Sequence, residues 1–453
     1  MERTLIAELN TKKGETVTIN GWVTVRRDQG KMAFFDFRDR SGTVQGVVFG
    51  KPEVLEVAKT ARPESSVAIT GVVNARPEKM INSSVDNGDI ELEITNIEIL
   101  NQSAELPFDL DAEMKLETTL DNRPLTLKRK QERAVFTIQA AITACYGQYM
   151  RQEGFTEFQA PKLVGGDAEG GAEIFSVEYF KDRTAYLSSS PQLYKQIMVG
   201  AFERVFTLAT AFRAEKSATS RHLSEYTSLD MEMGFIKDHT DIMKVETGLM
   251  RHIAAHIKEH HRAELNILSM EVPLIPEGDM FPHMKLQDAL ALIDEKTGST
   301  KVGANDLEPE DERWLCEYAK AELGSDFIFI THYPVSKRPF YTMPDPDDVG
   351  NTKSFDLLFR GVEITTGGQR VHDLEMLKDR AKEKGLDPEK FDFYLQAFKY
   401  GIPPHGGWGM GLERLTAKFC GVKNVKEATL FPRDINRIDT LLSAGEIKVE
   451  ETE

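Results

Sequence analysis

Cysteine is scarce in this sequence: Cys145, Cys316 and Cys420 are scattered through 453 residues. That number and spacing exclude a disulfide framework and supply no Cys-based metal finger, so a reducing, cytoplasmic setting is expected. No apolar run is long enough to span a bilayer, and no charged-then-apolar leader follows Met1, so neither a membrane anchor nor export is expected. A basic surplus is also missing. The net charge of −17 argues against a chain coated in positive surface, but it does not exclude a nucleic-acid partner, which responds to where cations cluster. No internal repeat is visible, and the acidic end EIKVEETE reads as a solvated tail. What remains, 40% hydrophobic and 28% charged residues, is the composition of a packed globular chain, and the length predicts two or three domains.

The first hundred residues read as β. ETVTINGWVTVRR, MAFFDFRDR, GTVQGVVF, SSVAITGVVNAR and DIELEITNIEIL are alternating runs broken by Gly, Asn, Asp and Ser. Five such strands predict a small closed barrel of the OB type over 1–102, a fold that often binds single-stranded nucleic acid. LPFDLDAEMKLETTLDNRPLTLKRK interrupts the pattern with proline and mixed charge, which places a hinge over 103–132. From 133 to 453 helical patterns alternate with strands, so the whole reads as an α+β chain. In the barrel, Arg26, Arg27, Lys31, Arg38 and Arg40 are interleaved with Phe34, Phe35 and Phe37. Cations can track a phosphate backbone while aromatic faces stack bases. The competing reading puts one or two of the phenylalanines in the barrel core.

Three constellations follow. In FRAEKSATSRHLSEYTSLDMEMGF, residues 212–235, Leu229, Met231, Met233 and Phe235 alternate with Ser228, Asp230 and Glu232, so a knot of charge joins two strands. Such a hairpin can wrap a polyphosphate, with Arg213 offering a fixed fork to one phosphate; a solvated hairpin tip is the alternative. In SFDLLFRGVEITTGGQRVHD, 354–373, Glu363 alternates with Val362 and Ile364 on a strand, and Gly367 and Gly368 would let the backbone approach a ligand before Arg370. Glu363 is a candidate Mg²⁺ ligand, because that ion takes one or two protein oxygens and fills its shell with substrate phosphates. In PPHGGWGMGLERLTAKF, 403–419, glycines flank Trp408 in a strand and a helix begins near Leu412. A helix N-terminus with Arg414 in its first turn can hold an anion, or it can be a turn and helix with a surface arginine. A fourth cluster, RHIAAHIKEHHR, places His252, His256 and His260 four apart, a spacing open to metal; it reads instead as an amphipathic helix whose histidines edge the solvated face.

Taken together and in this order, the segments resemble the three motifs of class II aminoacyl-tRNA synthetases. GFTEFQAPKL, with Pro161, is similar to the dimer-interface motif; FRAE…RHLSEYTSLDMEM to the second; GWGMGLERL to the third. An OB barrel ahead of them fits the aspartyl, asparaginyl and lysyl subgroup, whose catalytic domain is an antiparallel sheet flanked by helices. SPQLYKQ, TGGQR and LFPRD resemble the aspartyl branch in its archaeal/eukaryotic-like form. The large domain that bacterial forms insert between the second and third motifs has no room in the interval 236–362.

The resemblance implies roles position by position. Arg213, Glu363 and Arg414 would be catalytic, with Arg213 holding the α-phosphate of ATP and the attacking carboxylate, and Arg414 the γ-phosphate. The ATP site would comprise Arg213, Glu215, Arg221, His222, Leu223, Tyr226 (the aromatic that stacks on adenine), Glu363, Gly411, Leu412, Glu413 and Arg414. Glu363 and Thr366 match Mg²⁺ ligands, although the family usually has Ser at the latter. For L-aspartate, Lys195 and Arg370 match the pair that reads the side-chain carboxylate, Gln192 and Asp230 the groups around the α-amino end, and Glu169 the start of a lid; Arg213 and Thr366 complete the set. Ser189 stands where Gln is usual. In the barrel, Phe34 matches an aromatic that stacks on an anticodon base, Gln45 the residue that bonds the middle uridine, and Glu93 a further anticodon contact.

The implied activity is ATP-dependent activation of L-aspartate and its transfer to tRNA(Asp) by a homodimer. Two cations suit a substrate with a second negative charge, and asparagine would leave at least one of them unpaired in a dry pocket. An asparaginyl enzyme lacks the lysine at the Lys195 position. A non-catalytic tRNA-binding relative would be expected to lose motif residues, yet Arg213, Glu363 and Arg414 are all present. Relatives that exclude tRNA(Asn) carry Trp near Thr24 and Lys near Met80; this chain has neither, nor the Pro of relaxed relatives at Met80, and the reading leans toward charging of tRNA(Asn) as well.

Overall fold

The computed structural model describes residues 2–83, 85–166, 173–216 and 219–438. The chain divides into two compact units, Met1–Ala112 and Glu113–Glu453. The division lies inside the stretch read as a hinge. From Leu116 the chain is helical and belongs to the second unit: the buried Arg123 donates from Nε to the Leu430 carbonyl at 2.8 Å and from Nη2 to that of Thr429 at 2.6 Å.

In the first unit, β1 (Thr16–Asp28), β2 (Met32–Arg38), β3 (Thr43–Phe49), β4 (Ser66–Ala75) and β5 (Ile90–Asn101) close a barrel in the order β1-β2-β3-β5-β4. Only the β3–β5 pairing is parallel. Alternation sends Val17, Ile19, Phe35, Phe37, Ile69, Leu92 and Ile94 inward, and Leu55 and Ala58 of the helix Pro52–Thr60 join that core. Phe35 and Phe37 stack with centroids 5.5 Å apart, so two of the three phenylalanines are core. The basic cluster is also less available than the sequence implies. Arg38 is buried against Glu64 at 2.5 Å, Arg26 donates to the Lys59 and Ala61 carbonyls, and Arg27 pairs with Asp36 at 3.2 Å; Lys31 and Arg40 are exposed.

The second unit is built on β6 (Thr156–Glu157), β10 (Arg204–Phe212), β11 (Glu225–Gly234), β12 (His283–Lys285), β13 (Phe327–Thr331), β14 (Ser354–Phe359), β15 (Val362–Gln369) and β16 (His405–Gly411), in the order β12-β13-β14-β15-β16-β11-β10-β6. The central strands β13 to β10 are antiparallel, and β12 and β6 add parallel edges. A small sheet of β7 (Leu163–Val164), β9 (Arg183–Leu187) and β8 (Ser176–Tyr179) lies apart from it in the pairing. Helices Lys130–Gln152 and His239–His260 lay Ile138, Ile142, Tyr146, Ile242, Leu249 and Ile253 on one face of the large sheet, against Leu229, Met231, Ile364, Trp408 and Met410. Asp238 starts the second of these helices by accepting from Thr240 N. Period two therefore turns Ser228, Asp230 and Glu232 to the opposite face, where all three are buried rather than solvated.

Glycines make this sheet possible. A Cβ on Gly407 would collide with the Met231 carbonyl and the Glu232 carboxylate, so β16 can approach β11 only without a side chain there. Gly367 likewise leaves room for the Phe355 ring and the Gly407 carbonyl, and it also lines a cavity, so its smallness serves sheet packing as well as the open wall expected from the sequence.

Candidate active site

The polar face of the large sheet is the floor of a cavity of about 400 Å³. β10 and β11 are paired as far as Phe212 and Glu225, and Arg213 N donates to Ser224 O at 2.9 Å, which closes the hairpin on a charged loop. Arg213, Glu215, Arg221, His222, Leu223 and Tyr226 all line the cavity, together with Gln192, Asp230, Glu363, Thr366, Arg370, Gly411, Glu413 and Arg414. The guanidinium of Arg213 lies 5.5 Å from the centroid of the Tyr226 ring. His222 Nδ1 is 2.7 Å from Thr219 Oγ1 and its Nε2 is 3.6 Å from Glu215 Oε2. Two expected residues are not on the wall: Leu412 packs into the main core, and Lys195 is buried within the floor. Glu169 lies outside the described residues.

That floor is a four-charge cluster. Lys195 Nζ is 2.8 Å from Asp230 Oδ2, 2.8 Å from the Trp408 carbonyl and 3.5 Å from Glu232 Oε2. Arg370 donates from Nε to Glu232 Oε1 at 2.9 Å and from Nη2 to the Gly407 carbonyl at 2.8 Å. Burial works against ionised Glu232, but Arg370 first and then Lys195 outweigh it and hold the carboxyl below its ordinary value. Burial likewise opposes charge on Arg370, and Glu232 overcomes it. Two cations and two carboxylates with almost no solvent make a rigid floor, because removing any one leaves a buried charge unpaired. Neutral groups brace it. Gln196 donates to His405 Nε2 at 2.9 Å, which assigns the proton to Nδ1 facing the Pro403 carbonyl at 2.9 Å, and burial first of all drives the His405 pKa down to about 4. Gln196 Oε1 in turn accepts from Gln192 at 3.0 Å and from Tyr394 at 3.1 Å, which fixes the Gln192 amide at the cavity.

At the other end, Glu363 and Thr366 stand on β15, where β14 and β15 lose register at Leu357/Leu358 and Ile364 has no partner. Thr366 Oγ1 donates to Glu363 Oε1 at 2.9 Å, and Arg414 Nη1 is 3.8 Å from the same oxygen and 3.2 Å from the Glu363 carbonyl. A carboxylate and a hydroxyl on one polar wall fit Mg²⁺, which accepts few protein oxygens. Among the described residues no group of three His, Cys, Asp or Glu side chains could hold a metal by itself, so phosphate and water would complete the shell. Burial pushes Glu413, whose oxygens accept from Thr227 N at 3.0 and 3.1 Å, up to about 7.

Several residues on or behind the wall carry no signal that sequence reading used. Glu312, in the helix Pro309–Leu323, holds Arg221 at 3.0 Å and accepts from Glu363 N at 3.2 Å. Lys337 and Arg338 line the cavity, with Arg338 2.8 Å from Asp356 Oδ2 and 4.0 Å from the Tyr333 centroid. In PEDERW and SKRPF these residues look like solvated charge; the fold turns Glu312 and Arg338 inward, while Lys337 stays exposed. In the histidine helix, His252 lies against Tyr149 with centroids 5.6 Å apart and His256 against His260 at 4.6 Å. Pro161 is exposed.

On the barrel, facing pairs place Phe34 opposite Val47, Asp36 opposite Gln45, and Val47 opposite Glu93, so Phe34, Gln45 and Glu93 share the outer face of β2, β3 and β5. Phe34 is half-buried. Gln45 accepts from Arg76, and Glu93 from Asn74 at 3.1 Å. Thr24 sits where β1 and β2 slip register and donates to the Asp36 carbonyl at 2.9 Å; Met80 is exposed.

The fold combines, in one chain, an OB barrel and an antiparallel-sheet domain of the class II kind whose polar face lines a cavity. Comparison agrees: the family described as tRNA synthetases class II (D, K and N) matches residues 115–435, and an OB-fold nucleic acid binding domain matches 17–100. The chain belongs to the class II aminoacyl-tRNA synthetases of this D, K and N group. It is 43% identical over 447 residues, 97% of this chain and 99% of the relative, to an aspartate–tRNA(Asp/Asn) ligase of Deinococcus radiodurans. It is 40% identical over 439 residues, 96% and 98% of the two chains, to an aspartate–tRNA(Asp) ligase of Thermoplasma volcanium. Among solved structures, an asparaginyl-tRNA synthetase of Pyrococcus horikoshii complexed with asparaginyl-adenylate superposes with a TM-score of 0.88 at 31% identity, covering 97% of this chain and 99% of that one. The fold therefore does not separate aspartate from asparagine, and the side chains must.

Proposed function

We propose that this chain activates L-aspartate with ATP and transfers it to tRNA(Asp), and to tRNA(Asn) as well. The observation that carries the amino-acid assignment is the pairing of Lys195 and Arg370 with Asp230 and Glu232 beneath the cavity. Asp230 and Gln192 line the end suited to an α-ammonium, while Arg370 presents a held guanidinium to a side-chain carboxylate. Asparagine would set a neutral amide against that cation, a mismatch that a dry site penalises.

In the reaction, the aspartate α-carboxylate attacks the α-phosphate of ATP in line, giving aspartyl-adenylate and pyrophosphate. Arg213 draws the two anions together and stabilises the charge that builds on the phosphoryl oxygens, with Tyr226 as the platform for adenine. Arg414 and His222 hold the outer phosphates. Glu363 and Thr366 would hold Mg²⁺, which supplies charge neutralisation to the phosphates when bound. The terminal ribose hydroxyl of tRNA then attacks the carbonyl carbon of the mixed anhydride, the acyl–phosphate bond breaks, and AMP leaves with the proton lost from the hydroxyl, so no covalent enzyme intermediate is needed. Residues 1–102 are assigned to anticodon reading through Phe34, Gln45 and Glu93, 103–132 to a linker and 133–453 to catalysis; the chain acts as a cytoplasmic homodimer with Pro161 in the interface. Among the described residues no helix is long and apolar enough to cross a membrane.

The acceptor assignment rests on the absence of Trp at Thr24 and Lys at Met80, and on the resemblance to relatives described as acting on both tRNAs. Charging of separately transcribed tRNA(Asp) and tRNA(Asn) with labelled aspartate tests it. Product on both is expected, and product on tRNA(Asp) alone would refute the second acceptor. Sedimentation at micromolar concentration tests the dimer.

A further inference from the structure

Behind the ATP end of the active-site cavity lies a second cavity of about 210 Å³. Among the described residues its charged lining is entirely basic: Arg221, Arg313, Arg360, Arg414, Lys418 and Lys423. In a chain of net charge −17 a convergence of this kind needs a reason. Three of the six are accounted for locally. Arg221 is held by Glu312 at 3.0 Å; Arg360 is clamped by the Glu271 and Lys418 carbonyls at 2.8 and 3.1 Å and by Asp326 at 3.3 Å; Arg414 is 3.8 Å from Glu363. Arg313, Lys418 and Lys423 have no carboxylate within 4.0 Å among the described residues, although Lys418 is only partly exposed.

Like charges brought together without anions cost energy unless something else gathers them. The ammonium of Lys418 shows that cost: burial first, then Arg221 and Arg313, lower its pKa. The two cavities also share a wall, since Arg221, Arg414 and Val425 line both. An anion leaving the phosphate end of the first would pass from one face of Arg414 to the other without losing its cation.

We propose that this annex is a second anion site that takes condensed phosphate, pyrophosphate above all, as it moves away from the ATP cavity. Arginine forks and lysine ammonium groups provide charge-assisted hydrogen bonds to such an anion. The small volume favours a compact anion over a stretch of nucleic-acid backbone. The choice of pyrophosphate rests on the adenylation reaction proposed above; the anion site itself does not.

The test is equilibrium dialysis of the full chain with labelled inorganic pyrophosphate, with no ATP or aspartate, beside Arg313→Gln/Lys418→Gln/Lys423→Gln. Lys423→Gln alone, at an exposed position, guards against misfolding of the triple variant. The triple variant is expected to lose one equivalent of bound pyrophosphate, and the single variant to bind that equivalent about tenfold more weakly. Isotope exchange adds a second readout: a KM for pyrophosphate raised about tenfold marks a product-release site, whereas weakened binding with unchanged exchange marks a site filled by condensed phosphate from solution. Stoichiometry and affinity unchanged in both variants would overturn the proposal, as would lost tRNA affinity with intact pyrophosphate binding, which would assign the patch to RNA. A wild-type chain that binds the second equivalent yet exchanges no pyrophosphate with aspartate would instead refute the proposed function.

Discussion

Lys195 and Asp230 meet at 2.8 Å with side chains 1% and 2% exposed, so the amino-acid end of the cavity rests on an ion pair that water barely reaches. Glu232 stands 3.5 Å from the same ammonium and ties it to Arg370. A pair in such surroundings adds little net stability, but it makes each member indispensable to the others.

Lys195→Met tests that dependence, because methionine fills similar volume without charge. Asp230 would then lose its cation and Glu232 would keep Arg370 alone, so stability should fall by about 3–5 kcal/mol, and the KM for aspartate should rise steeply without gain of asparagine activation. Denaturant unfolding and amino-acid-dependent exchange read the two effects separately.

Arg213→Ala removes the cation that bridges the two reacting anions in the proposed mechanism. Adenylate formation should fall about 10²–10³-fold, as for the loss of one preorganised oxyanion donor, while the melting temperature stays put. A near-normal aspartate-dependent exchange rate in this variant would rule out the proposed role.

Phe34→Ala probes the barrel. Its partial exposure on the outer face fits base stacking worth about 1–3 kcal/mol, so the KM for tRNA should rise roughly 5- to 150-fold with ATP–pyrophosphate exchange spared. An unchanged KM with lowered stability would make Phe34 a core residue like Phe35 and Phe37.

A pH prediction comes from Glu246, fully buried on the helix behind β15, where burial above all pushes its carboxyl up to about 8. The folded state keeps the proton while the unfolded chain loses it near 4.5, so this contribution is complete at low pH and is lost as pH rises toward 8. Glu246→Gln should therefore gain on the wild type with rising pH, by at most about 1.4 kcal/mol per unit. Unfolding midpoints at pH 5.5 and 8.5 check the sign.

The strands and the three motif segments were legible because period-two alternation and glycine placement are local: the strand His405–Gly411 passes into the helix Leu412–Cys420 where the sequence places it. Burial was less legible. Asp230 and Glu232 read only as the polar face of a strand, and nothing local shows that the cavity and its cations enclose both. Arg38 read as part of a nucleic-acid surface, yet Glu64 draws it into the barrel. Glu312 and Arg338 become visible only through partners far along the chain, Arg221 and Asp356, which no local pattern encodes.

The most direct test of the account is exchange of labelled pyrophosphate into ATP by the purified chain, with aspartate and asparagine supplied separately. The four-charge floor predicts rapid exchange with aspartate and background with asparagine. Exchange driven by asparagine, or by neither amino acid, would contradict it.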